Sequence, residues 1–99
     1  MPAYIITESA ARDIAEIMAY LRKGSSDAPK RVREKLRQAM RLPAEFPGFG
    51  HTREDVTTLP VRFWSVYSYL IVYQPDTKPL EILRIVHGAR DLPKLFRSN

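Results

Sequence analysis

Few side chains in this sequence are typed and spaced for chemistry, and their arrangement excludes most reactions. His51 and His87 are the only histidines, and cysteine is absent. That removes disulfides, thiolate metal sites and cysteine nucleophiles, and the wide separation of the two imidazoles fits no familiar zinc pattern. No metal and no cofactor is expected. His87 and Asp91 can be joined to a serine on paper, but no nucleophile-elbow sequence accompanies them. Gly48-Phe49-Gly50 is too short for a phosphate loop and lacks the following Lys-Ser or Lys-Thr. The block that remains is Arg84-Ile85-Val86-His87-Gly88-Ala89-Arg90-Asp91, where a strand carries basic side chains into a glycine turn. Asp91 reads as a helix N-cap, whereas Arg84, His87 and Arg90 read as contacts to a partner. Neither Arg84 nor Arg90 supplies core volume, so replacing them is expected to leave the fold largely intact. Trp64, with Arg62 just before it, is expected mainly as core and is held beside these as a possible surface contact.

Charge sharpens the idea of a partner. Sixteen Lys and Arg against eleven Asp and Glu give a net charge of +5. The excess is concentrated: Lys30, Arg31, Arg33, Lys35, Arg37 and Arg41 face Glu34 alone, and Arg84, Arg90, Lys94 and Arg97 face Asp91 alone. The simpler reading of 30–41 by itself is a solvated helix face. Two such clusters together suggest an acidic partner: nucleic acid, an acidic protein segment, or both.

The elements that must position these residues follow from periodicity. Tyr4-Ile5-Ile6 is a short strand, and Thr7 is placed to cap a helix over about 8–23. Ile14, Ile17, Met18 and Leu21 form its apolar stripe, and Gly24 marks its stop. Ser26 or Asp27 caps a second helix whose stripe is Ala28, Val32, Leu36, Ala39 and Met40, closed by Pro43 and Pro47 within 42–46. The short turn between them makes a helical hairpin over 8–45. After a loop from Phe46 to Pro60, the period shortens to strands at about 58–66, 68–74 and 80–87. The middle one, Ser68-Tyr69-Leu70-Ile71-Val72-Tyr73, is apolar on both faces, as a central strand is. A terminal helical turn is expected over 91–96. The fold class is α+β: an N-terminal helical hairpin packed on a small, mostly antiparallel sheet.

Length sets the remaining bounds. Ninety-nine residues, 44% of them apolar, suit a single domain over 1–99 with one modest core. The start lacks the basic and apolar regions of a signal peptide. The apolar stretch Tyr69-Leu70-Ile71-Val72-Tyr73 is far short of the roughly 20 residues that span a bilayer. A cytoplasmic protein with no membrane association is expected.

With these residues in place, the chain resembles the ParE toxins of the RelE/ParE superfamily. The likeness is carried by Ile82-Leu83-Arg84-Ile85-Val86-His87-Gly88-Ala89-Arg90-Asp91-Leu92, by Ala11-Arg12-Asp13-Ile14-Ala15-Glu16-Ile17, by Phe46-Pro47-Gly48-Phe49-Gly50 and by Tyr69-Leu70-Ile71-Val72-Tyr73. The resemblance implies a RelE/ParE-like fold and the toxin of a type II toxin–antitoxin system, of the kind that serves plasmid stabilisation. It implies a cognate antitoxin, ParD-like or related, in a toxin–antitoxin hetero-oligomer. ParE-like proteins inhibit DNA gyrase, whereas RelE-like relatives are ribosome-dependent mRNA endonucleases. The RelE constellation has an arginine after the tyrosine that opens the central strand, and a tyrosine near the C-terminus. Here those positions hold Leu70 and Phe96, and only Arg90 persists. The expectation is therefore a gyrase inhibitor with no catalytic residues. It would touch gyrase, or gyrase-bound DNA, through Arg62, Trp64, Arg84, His87, Arg90 and Arg97. It would meet its antitoxin through Arg31, Arg33, Lys35, Arg37 and Arg41.

Overall fold

The computed structural model describes residues 3–24 and 26–88. The chain forms β1 (Tyr4–Ile6), α1 (Glu8–Arg22), α2 (Ala28–Glu45), a 3-10 turn (Pro47–Phe49), β2 (Arg62–Val66), β3 (Tyr69–Gln74) and β4 (Leu80–His87). The strands make one mixed sheet in the order β1-β4-β3-β2. β1 pairs parallel with β4, and the two other pairings are antiparallel. The α+β class and the helical hairpin are as the sequence implies. β2 begins at Arg62, later than the expected 58, and the expected terminal turn over 91–96 lies outside the described residues.

Local chemistry explains the helix ends. The Thr7 side chain accepts from the Ala10 N–H, so α1 starts on a conventional N-cap. Gly24 follows the C-cap Lys23, where a stop is expected, but no glycine among the described residues has positive φ. The end is closed instead by short bonds from Lys23 and Gly24 N–H to the Tyr20 and Leu21 carbonyls. In α2, Pro43 lies inside the helix and is buried rather than terminating it. Its missing N–H costs one backbone bond, and the helix ends two residues later at Glu45.

Alternation along β3 divides the interior. Ile71 and Tyr73 belong to the larger cluster, with Ala10, Met18, Leu36, Met40, Ile82 and Ile85 beneath the helices. Val72 joins Val61 and Phe63 in a smaller cluster, with Val56, Leu70 and Leu83 packed beside it. Successive side chains of a strand point to opposite faces, so β3 is apolar on both sides, as expected of a central strand. A register shift between Val72 and Tyr73 pairs Val72 with Arg84 and Tyr73 with Ile82. Leu83 is left as the extra residue of a bulge.

Candidate functional site

At the C-terminal end of β3 the sheet is locked to the loop after α2. The Tyr73 hydroxyl accepts from the Gly50 N–H at 2.7 Å and donates to the Pro47 carbonyl at 2.8 Å. The ring is 0% exposed. Burial pushes the Tyr73 phenol above its ordinary pKa of 10.0, against smaller opposing effects from the Gly50 N–H and the Arg62 charge. Gly50 is required by close approach: a β-carbon there would lie 2.6 Å from the Tyr73 hydroxyl and 2.7 Å from the Phe63 carbonyl. Arg62 donates to the Gly50 carbonyl at 2.7 Å, and the His51 and Phe63 backbones exchange two bonds. Trp64 is half-buried against the larger core and meets Phe49 edge-on at 4.2 Å. Trp64 thus packs against the core while staying partly exposed, and Arg62 bonds into the same lock.

A second fixed point lies along β4. β1 accompanies β4 only as far as Ile82. Beyond it, the Thr7 N–H and hydroxyl both reach the Ile82 carbonyl, and the hydroxyl also reaches that of Leu83. Asp13 then takes over. One of its oxygens accepts from the Ile85 N–H at 2.8 Å and from Arg84 Nε at 2.8 Å, and the other accepts from Arg84 Nη2 at 3.0 Å. Asp13 is 8% exposed, while the Arg84 side chain is 37% exposed. Arg84, expected as a partner contact without core volume, thus also holds a buried carboxylate with two of its nitrogens. The sequence did carry a signal. Asp13 occupies the α1 face that buries Ala10 and Met18, and a carboxylate on an apolar stripe demands a partner.

The N-terminal end of β3 is built differently. Tyr69 and His87 are paired in register and their rings meet edge-on at 6.1 Å. The Gly88 N–H donates to the Ser68 carbonyl at 3.0 Å, so the β2–β3 turn is tied to the end of β4. A β-carbon on Gly88 would sit 3.2 Å from a Leu70 methyl. In that turn Tyr67 has φ 54° and is 63% exposed. Sequence reasoning did not single it out, because turn chemistry there calls for glycine or asparagine rather than tyrosine.

Among the described residues, the expected target contacts do not all converge. Arg62 sits opposite Tyr73 and His87 opposite Tyr69, which places them at different ends of the sheet, with Arg84 between. Arg90 and Arg97 lie outside the described residues. On α2, Arg31, Arg33, Lys35, Arg37 and Arg41 are all exposed, and Arg37 makes a solvent-exposed 3.4 Å pair with Glu34. Beside Arg41 the surface turns apolar, with Leu42, Phe46 and Phe49 exposed.

Among the described residues no group of acidic or histidine side chains could hold a metal ion, and no helix is long and apolar enough to cross a membrane. No curated protein matches the chain. Residues 4–92 match the model of a family described as the ParE toxin of type II toxin-antitoxin system, parDE.

Proposed function

We propose that this chain, which belongs to the ParE toxin family of type II toxin–antitoxin systems, inhibits DNA gyrase by binding it and catalyses no reaction of its own. Family membership makes it a toxin and implies an antitoxin partner, and the α+β structure is consistent with the RelE/ParE-like fold. The observation that carries the choice of target is Leu70. RelE-type cleavage of mRNA needs cations and proton-moving groups around a phosphate. The position after Tyr69 instead presents a half-buried leucine, packed beside the Val61, Phe63 and Val72 cluster and in reach of Gly88. It can donate no hydrogen bond.

On this reading the whole chain acts as one toxin domain in the cytoplasm. The target surface draws on the His87 end of the sheet together with Arg90 and Arg97, and on the exposed part of Arg84. Arginine suits such a surface because its planar fork engages carboxylates or phosphates bidentately. The antitoxin lies along α2, where exposed cations steer an acidic segment and Leu42, Phe46 and Phe49 anchor it. The test sets purified toxin with gyrase and plasmid DNA against purified toxin with programmed ribosomes. Lost supercoiling, or accumulated cleaved-DNA complexes, with intact mRNA is the expected result. Codon-specific mRNA cleavage with undisturbed supercoiling reverses the assignment.

A further inference from the structure

We infer that Tyr67 is the aromatic anchor by which the toxin grips gyrase as a protein, presented on a turn whose backbone is strained to hold it there. This rests on the gyrase reading above and gives that reading a residue.

Tyr67 links β2 to β3 with φ 54°, and it is the sole non-glycine residue with positive φ among those described. In that region the β-carbon crowds the following carbonyl. Glycine or asparagine occupies it at little cost, whereas a bulky side chain is an outlier. Burial does not account for the choice, since the residue is 63% exposed. A strained residue that packs little and faces water is placed for something outside the fold.

The surroundings say what it meets. The turn backbone is tied down by the Gly88 N–H on the Ser68 carbonyl, so less main-chain ordering is left to be done on contact. Ser65 and Ser68 beside it are exposed, giving an apolar ring with a polar rim, the usual make-up of a protein–protein hot spot. From Ser65 to Tyr69 the sequence carries no charge. On the turn itself a base-stacking contact has no adjoining cation in sequence to meet the phosphate. The ring therefore suits a protein pocket, and contacts to carboxylates or phosphates fall to the arginines of the proposed target surface.

The test uses the full-length toxin as wild type, Tyr67→Asn and Tyr67→Phe. Each is measured for inhibition of supercoiling, binding to gyrase without DNA, binding to DNA alone, antitoxin binding and thermal melting. Asparagine tolerates the left-handed backbone and removes the ring. Tyr67→Asn is expected to melt about 4 °C higher, to bind antitoxin unchanged, and to lose roughly 10-fold or more in gyrase binding and inhibition. Tyr67→Phe keeps the ring and is expected to stay near wild type in both. Full potency of Tyr67→Asn beside an inhibitory wild type overturns the inference alone. So does a lower melting temperature, or a loss confined to DNA binding, which would assign the ring to nucleic acid. A wild-type toxin that leaves gyrase untouched overturns the gyrase reading and this anchor with it.

Discussion

Tyr73 and Tyr67 stand near opposite ends of β3, and the protein uses the same side chain in opposite ways. Tyr73 is wholly buried, with its hydroxyl bonded on both sides to the loop after α2. Tyr67 is exposed, on backbone that disfavours it. At the Tyr73 end the phenol, the Gly50 amide and the Arg62 guanidinium each have a local structural task, and Gly50 makes room for the phenol. At the Tyr67 end the turn backbone is tied to the end of β4 while the ring stays exposed. One tyrosine locks the sheet to the loop after α2, and the other is left facing solvent on a tied-down turn.

The largest expected loss comes from the fixed part. In Asp13→Ala the Ile85 N–H and the Arg84 guanidinium lose their common acceptor, and the variant is expected to be about 3 kcal/mol less stable by denaturant unfolding. Arg84→Ala is expected to cost less, because Asp13 keeps its bond to Ile85 N–H and water can reach the vacated site. Removing both is then expected to cost less than the sum of the two single changes. Equal and additive losses would show that the carboxylate and guanidinium act independently, and would weaken the division of the sheet into a fixed and a presenting end.

Tyr73→Phe comes next, at about 2 kcal/mol, since it strands the buried Gly50 N–H and Pro47 carbonyl. A pH signature separates this from simple loss of volume. The folded-state pKa of Tyr73 is raised, so the folded state retains a proton that the unfolded chain releases above pH ~10. The stability contributed by Tyr73 is fully present below that pH and falls as pH rises through the folded value. Tyr73→Phe is expected to remove that part of the alkaline decline, which unfolding curves at several pH values above neutral would record. Tyr67→Asn, by contrast, is expected to gain roughly 1 kcal/mol. A loss there would erase the contrast between the tyrosines.

How much of this was legible in the sequence depends on how local the cause is. The stripes Ile14-Ile17-Met18-Leu21 and Val32-Leu36-Ala39-Met40 announce the helical hairpin, because amphipathic periodicity is written within each helix. The two-sided burial of β3 follows from its unbroken apolar run. The Asp13–Arg84 pair was not legible as a pair, since its members are 71 positions apart and only the fold supplies the distance. Asp13 on an apolar face did signal a missing partner. Gly50 and Tyr73 are likewise distant, and nothing short of the structure joins them. Tyr67 escaped notice for the reverse reason: its local sequence argues against the backbone it adopts. The cationic face of α2 was legible in full, because helix periodicity and composition alone place it in water.

That face gives the smallest expected effect on the fold and tests the comparison from outside the sheet. Arg33 and Arg37 are exposed on α2, and Arg37 pairs with the solvent-exposed Glu34. Surface pairs of this kind contribute little, so Arg33→Glu with Arg37→Glu is expected to change stability by no more than about 0.5 kcal/mol. Antitoxin association should respond far more. If an acidic antitoxin segment is steered to α2, reversing two charges slows the association rate by about 10-fold or more at low salt, and the difference shrinks as salt screens the field. Dissociation should change less, because the exposed Leu42, Phe46 and Phe49 proposed as the apolar anchor are untouched. Stopped-flow association across a salt series reads both. A rate insensitive to charge reversal and to salt would move the antitoxin off α2, toward the sheet. It would then compete for the Tyr67 end, and neutralisation would act by occlusion of the ring that holds the target.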